Sequence, residues 1–247
     1  MAYEKDGIQY PSVTTILGLL DKPALLGWAS NCAVDYIEDN IEVVRDTEDV
    51  HRGEEVLQTA RTAYRTISGD ACKSGTMVHK AIEQYVSGLD YEYLLETEQS
   101  KNGFNAFLSW EMNNHVEWLE SEVEIIDTEI GYAGRFDATA KVNDVIYLID
   151  FKTSKAIYSE MAVQLCAYRQ AYNKVHDNQL EHIAVLHLDK ETAEPTFKPF
   201  ESELERKTRF FNSLVNTYYL EKNRRLKNNP FVKAAKTCEP VELKEIF

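Results

Sequence analysis

The sequence predicts a mixed α/β fold: a central sheet flanked by helices, preceded by a mainly helical N-terminal lobe. Three observations carry this expectation. Up to about residue 120, apolar residues recur at helical spacing between capping and breaker residues. From about residue 122 to 151 the pattern changes to period 2. Beyond that, two helical segments enclose one short, almost wholly apolar run.

In chain order, Ser12 is placed to cap a short helix through Leu20, followed by Asp21-Lys22-Pro23. Pro23 suits the first turn of a second helix through Trp28 towards Asn40. A further helix is expected over Glu54 to Ile67. Ser68-Gly69-Asp70 reads as a break, after which helix resumes near Gly75 and ends at Val86, before Ser87-Gly88. Another is expected from about Asn105 to Leu119. Strands follow near Glu122–Thr128, Tyr132–Val142 and Val145–Phe151. Ser159 is a candidate N-cap for a helix to about Lys174. The run from His182 to Leu188 reads as a buried strand, with a short strand near Thr196–Phe200 and a long final helix from Ser202 to Leu226. No internal repeat or low-complexity linker interrupts the chain. The expected organisation is therefore one domain over residues 1–247. Residues 1–120 form its helical lobe, and residues 121–247 its sheet-containing core and C-terminal helix.

The hairpin in the middle of the chain is the most specific local feature. With Asn143-Asp144 as a two-residue turn, Val142 pairs with Val145 and Asp137 falls opposite Asp150. Phe136, Ala138, Ala140 and Val142 then share an apolar face with Val145, Tyr147, Ile149 and Phe151. Arg135, Asp137, Thr139 and Lys141 share the other with Ile146, Leu148, Asp150 and Lys152. A one-residue slip would scramble this division, so the pattern itself argues for the register. Like charges directly opposite on adjacent strands repel, so apposed aspartates call for a cation between them. Lys152 follows Asp150 by two residues and points to the same face, roughly 6–7 Å along the strand. The plain alternative is a half-solvated edge hairpin with ordinary surface charges.

Composition narrows the function classes. At 247 residues the chain can bury a substantial core unaided. No apolar run is long enough to span a membrane, and the N-terminus Met-Ala-Tyr-Glu-Lys-Asp-Gly lacks the features of a secretory signal. A soluble, cytoplasmic protein is expected. The four cysteines, Cys32, Cys72, Cys166 and Cys238, form no C-x-x-C pair and fit neither a compact zinc site nor a disulfide framework. No iron–sulfur cluster is expected. A net charge of −14 argues against general coating of nucleic acid. It leaves room for a nuclease whose metal ligands are acidic and whose binding is confined to a basic groove. The best local candidate for a backbone-binding surface is Arg206, Lys207 and Arg209 with Lys222, Arg224, Arg225 and Lys227; a solvated helix face is the plain reading.

Hard divalent cations prefer carboxylate and carbonyl oxygens. Asp137 and Asp150 supply the first, and the backbone carbonyl of Phe151 is a candidate for the second. Such a metal activates water and stabilises charge on a phosphate, and a neighbouring lysine can orient the water or stabilise the oxyanion. At this point the residues resemble the PD-(D/E)xK nuclease superfamily, in its RecB-like branch. Gly134-Arg135-Phe136-Asp137 matches the first acidic motif, and Asp150-Phe151-Lys152-Thr153 the second. Gln164-Leu-Cys-Ala-Tyr168 is similar to that branch's Gln-x-x-x-Tyr helix motif, and Gly75-Thr76-Met77-Val78-His79 to its helix-borne histidine. The stretch from Pro11 to Gly18, Lys22-Pro23-Ala24-Leu25 and Trp28 resemble the opening of phage-type and mitochondrial genome maintenance exonucleases. The resemblance spans roughly residues 10–190.

The resemblance implies a restriction-endonuclease-like mixed central sheet and phosphodiester hydrolysis dependent on one or two Mg2+ or Mn2+ ions. Asp137 and Asp150 would be the central ligands, His79 a further ligand and Lys152 the catalytic lysine. Gln164 and Tyr168, one helical turn apart, would support the site and contact nucleic acid. Thr153 and Ser154 can donate to phosphate or simply end the strand. Glu83, Glu122 and Glu124 are weaker ligand candidates, and His115, His182 and His187 have no motif support. Taken alone, His79 is an ordinary helix histidine, and Tyr168 belongs to a core stripe with Met161, Leu165 and Tyr172. No Walker-type phosphate loop occurs, so strand separation would fall to a partner or to passive threading. The expected activity is a DNA exonuclease acting on single-stranded or frayed ends in phage-type DNA processing, with a recombination or replication protein as a possible partner and host cytoplasm as its location. The alternatives are a flap- or junction-cutting endonuclease, an idle nuclease fold serving as a DNA- or protein-binding module, and an acidic DNA mimic.

Overall fold

The computed structural model describes residues 3–46 and 49–222. Arg224, Arg225, Lys227 and Cys238, and the expected end of the last helix, lie outside them. The chain divides into two compact units. One comprises residues up to Leu19 and from Met77 onward; the other is Leu20–Thr76.

The smaller unit is helical. It holds α2 (Pro23–Asp39), α3 (Ile41–Arg45), α4 (Val50–Ala60) and the first part of α5 (Ala63–Val86). Pro23 does open α2, and Asp49 caps α4 by accepting from the Arg52 N–H at 3.1 Å. The expected break at Ser68-Gly69-Asp70 does not occur. A single glycine costs a helix interior only about 1 kcal/mol, and α5 runs through it. The interruption falls earlier, where Thr62 N–H turns back to the Thr59 carbonyl.

The larger unit is built on a five-stranded sheet: β3 (Val116–Asp127), β4 (Tyr132–Val142), β5 (Val145–Lys152), β6 (His182–Leu188) and β7 (Pro195–Phe200), in that spatial order. β3, β4 and β5 form an antiparallel meander, and β6 and β7 are also antiparallel. β5 and β6 are parallel, and α7 (Ser159–Val175) makes the crossover that parallel neighbours require. A separate hairpin, β1 (Tyr3–Lys5) with β2 (Ile8–Tyr10), turns at Asp6-Gly7, both at positive φ. This Asp-Gly turn was present in the sequence and its hairpin was not among the expected elements.

Each sheet face is covered. On one side Phe104, Phe107 and Trp110 of α6 (Glu98–Met112) and Val78 and Ile82 of α5 pack on Ala138, Ala140, Ile149, Phe151 and Leu186. On the other lies α7, packed in turn against α1 (Val13–Leu17) and α8 (Leu204–Lys222). Between two layers, α7 is buried well beyond the stripe its spacing implied, with Ala162, Val163, Cys166, Ala167 and Ala171 also inside. The hairpin is therefore internal, not a solvated edge: Thr139, Leu148 and Asp150 are as buried as the apolar face.

Boundaries differ from expectation for local reasons, and α6 opens at Glu98 instead of about Asn105, behind a capping box of Thr97 and Ser100. The helix expected to reach Leu119 stops at Met112. Asn113 and Asn114 side-chain amides donate to the Ser109 and Trp110 carbonyls, ending it, and β3 begins at Val116. Ser159 is the first residue of α7, not its cap. The cap is Tyr158, whose N–H meets the Met161 sulfur at 3.3 Å.

Candidate active site

Asn143 and Asp144 have φ of 48° and 71°, the two left-handed residues of a type I′ turn. The expected register follows, from Val142↔Val145 to Ala138↔Ile149. There the β4–β5 ladder stops. The next rung is replaced by a side chain: the Phe151 N–H donates to Asp137 Oδ2 at 2.6 Å. Beyond it the strands take different partners. β5 continues beside β6, while β4 stays on β3, and its other edge at Ala133 donates to the Pro11 carbonyl at 3.0 Å.

The alternation of faces resets at the same place. Ala138 packs with α6, yet the Phe136 ring meets Tyr168 and Tyr172 of α7, with centroids 6.2 and 5.8 Å away. Phe136 thus leaves the face expected for it. On β3 the register is the same on both sides of this point, Ser121↔Ala138 and Val123↔Phe136, but Glu122 between them has φ 54°; the register shift of this pair lies between Trp118 and Glu120. The period-2 division therefore breaks at Asp137, whose carboxylate faces His79.

Four ionisable groups converge around the gap. His79, from α5, places Nδ1 3.3 Å from Asp137 Oδ1. Lys152 forms an ion pair with Asp150 Oδ2. Gln164 Nε2 donates to Asp150 Oδ1 at 3.3 Å and to the Tyr168 hydroxyl at 3.0 Å. Gly134 has a steric reason: a Cβ there would lie 2.6 Å from Tyr168 Cε1. The close approach of that ring to the strand sets Tyr168, and through it Gln164, against Asp150.

Burial makes these charges depend on one another. It opposes ionisation of Asp137, but the charge and hydrogen bond of His79, then Lys152 and the Phe151 N–H, hold its carboxyl below the usual range. Burial pushes Asp150 up; Lys152 opposes it, and the neighbouring charge of Asp137 adds to the rise. Burial lowers Lys152, but Asp150 and Asp137 outweigh it and raise the ammonium. Burial likewise lowers His79, and Asp137, with Asp150, raises it above its ordinary value.

The other candidates are placed as follows. The Ser154 hydroxyl donates to the Ala156 carbonyl within its own turn, and the Ser154 carbonyl takes His187 Nε2. Thr153 directly follows β5. The Phe151 ring lies in the core, edge-on to His79 at 6.0 Å. Glu122 holds Arg135 and feels the charges of Asp137 and Glu83, whereas Glu124 is exposed. His115 bonds through its backbone to Asn143, and His182 lies beside Tyr147. Arg135 lies within the first acidic motif, two residues before Asp137, but the motif alone assigns it no role of its own. Buried His187 likewise has no motif, because its neighbour Lys152 is set by the long-range β5–β6 pairing. Among the described residues, no three His, Cys, Asp or Glu side chains form a ready metal-ligating group.

No protein-family model matches this sequence, and no curated protein matches it.

Two outcomes are expected. Gly134→Ala should destabilise the protein by about 1–3 kcal/mol through overpacking against Tyr168, measured by urea unfolding; an unchanged midpoint would remove the close-approach explanation. With divalent ions chelated, NMR titration should place His79 above its ordinary value, and Asp137→Asn should bring it down. The raised His79 stabilises the fold at low pH and loses that contribution as pH rises through its folded value; the lowered Asp137 loses its own as pH falls. The stability gap between the intact protein and Asp137→Asn should therefore be widest between about pH 4 and about pH 6.5 and narrow above it.

Proposed function

We propose that this chain is a metal-dependent deoxyribonuclease of the PD-(D/E)xK, RecB-like type, an exonuclease hydrolysing phosphodiester bonds at single-stranded or frayed DNA ends. The observation that carries the reading is the meeting of Asp137, Asp150, Lys152 and His79 where β4 and β5 part, with Gln164 and Tyr168 behind Asp150. The mixed sheet flanked by helices is compatible with a restriction-endonuclease-like core.

The donor set fits Mg2+ or Mn2+. Two carboxylates next to each other in a buried setting, one with a raised affinity for protons, gain from a hard cation between them. Asp137 and Asp150 would hold it, with His79 and the Phe151 carbonyl as further ligands. When bound, such an ion supplies Lewis-acid activation of water and neutralises charge on the phosphate. The chain's own residues do the rest. Lys152, kept charged by both aspartates, orients the attacking water or meets the charge that develops on phosphorus-bound oxygen. Gln164 fixes the Asp150 carboxylate from behind. Substrate access belongs to the same reading: DNA ends reach the site in phage-type processing, in the host cytoplasm if the chain is phage-encoded, with a recombination or replication protein as partner.

One observation favours a second reading. His79–Asp137 and Lys152–Asp150 already pair each acid with a base, so the cluster is electrically satisfied without a metal, as an idle nuclease fold acting as a DNA- or protein-binding module would be. Cleavage separates the two. Linear single-stranded DNA labelled at one end should be digested by the intact protein with Mg2+ or Mn2+, and Asp150→Ala and Lys152→Ala should each lower the rate by about a hundredfold or more. A covalently closed circle of the same strand should resist; cutting it as fast as the linear form would point to an endonuclease. No cleavage of linear, flapped or duplex DNA would reject the nuclease reading.

A further inference from the structure

We infer that Arg135 binds a backbone phosphate of the nucleic-acid strand at the mouth of the site, with Glu122 aiming its guanidinium. This rests on the nuclease reading and adds a binding residue to it. Arg135 stands on β4 two residues before Asp137, with its side chain about half exposed (49%). Its Nε lies 2.7 Å from Glu122 Oε2 in an ion pair, and among the described residues its guanidinium has no further hydrogen-bond or ion-pair partner. A planar fork of N–H donors held by an ion pair, beside a tyrosine (Tyr3) that feels its charge, can take phosphate in two parallel bonds.

Two further observations separate this from an ordinary surface ion pair. Glu124 is the residue directly opposite Arg135 on β3, the natural cross-strand partner, yet the guanidinium goes to Glu122. Glu122 achieves this from left-handed backbone, φ 54°, which a non-glycine residue adopts at a cost that an exposed ion pair seldom repays. It is also the more buried partner, with 18% of its side chain exposed; burial first, and then the nearby charge of Asp137, oppose its ionisation. The strained residue therefore bridges from the Asp137 cluster to the guanidinium and holds a cation beside it. A chain of net charge −14 needs such a fixed local cation to seat a polyanion next to two carboxylates.

The test is steady-state cleavage of end-labelled single-stranded oligonucleotide with Mn2+, over a salt series, by the intact protein, R135Q and R135K. R135Q is expected to raise KM about tenfold with a much smaller change in kcat. The slope of log(kcat/KM) against log salt should become shallower by about 0.7, the value for one phosphate contact on a single strand. R135K keeps the charge and loses the fork, so its KM should rise while the slope stays near that of the intact protein. An R135Q with the intact protein's salt slope, or with a loss confined to kcat, overturns the inference. Should R135Q fail to fold by circular dichroism, R135K decides, and an unchanged KM overturns it. Should the intact protein not cut, the same oligonucleotide is titrated by fluorescence anisotropy without metal. Binding weakened by R135Q with a shallower salt slope then supports Arg135 while the nuclease reading fails. No binding by the intact protein, or binding indifferent to R135Q, overturns the Arg135 assignment as well.

Discussion

The hydrogen bond from the Phe151 N–H to the Asp137 carboxylate is the constraint on which the rest of the site depends. In a continuous antiparallel ladder that N–H would go to a backbone carbonyl. Giving it to a side chain ends the β4–β5 pairing at Ala138↔Ile149, and the two strands then serve different neighbours. Each consequence is local and needed. Asp137 is fixed in the gap, Asp150 and Lys152 remain on a strand braced by β6, and the freed edge of β4 is closed by the segment before α1.

Holding four ionisable groups there is expensive unless they are paired. An isolated buried charge costs several kcal/mol, and removing one member of a buried pair typically costs about 3–5 kcal/mol. The cluster meets this by alternating signs: His79 against Asp137, Lys152 against Asp150, with Gln164 taking the remaining Asp150 oxygen. The aromatic layer of α6 on one face and the buried α7 on the other limit the screening of these charges, most of all at Asp150, while His79 and Lys152 stay partly exposed. The fold thus holds a polarised, nearly neutral cluster whose protonation states are set by one another.

Much of this was legible in the sequence because it is local. The type I′ turn and the five rungs above it follow from Asn143-Asp144 and period-2 patterning, and β4 and β6 begin and end where that patterning does. The pairing of Gln164 with Tyr168 follows from helical spacing. What was hidden depends on pairings between distant segments. Period 2 assumes an unbroken pleat, so it misplaced Phe136 across the reset at Asp137. The role of Gly134 exists only once Tyr168 arrives from another element. The end of α6 was hidden because Val116, Trp118 and Leu119 continue an apolar spacing that two asparagine side chains interrupt. The Arg135–Glu122 pair depends on a left-handed residue in a strand, for which the sequence offers no glycine to mark it.

The most direct test of the central claim, that the parted hairpin is a cation site built from Asp137 and Asp150, is calorimetric titration of the metal-free protein with Mn2+ in buffers of different ionisation enthalpy. The account predicts binding by the intact protein with release of protons, since His79, raised above its ordinary value by Asp137, gives up its proton to become a ligand, and loss of that binding in both Asp137→Asn and Asp150→Asn. No heat of binding by the folded intact protein, or binding left unchanged in both variants, would contradict it.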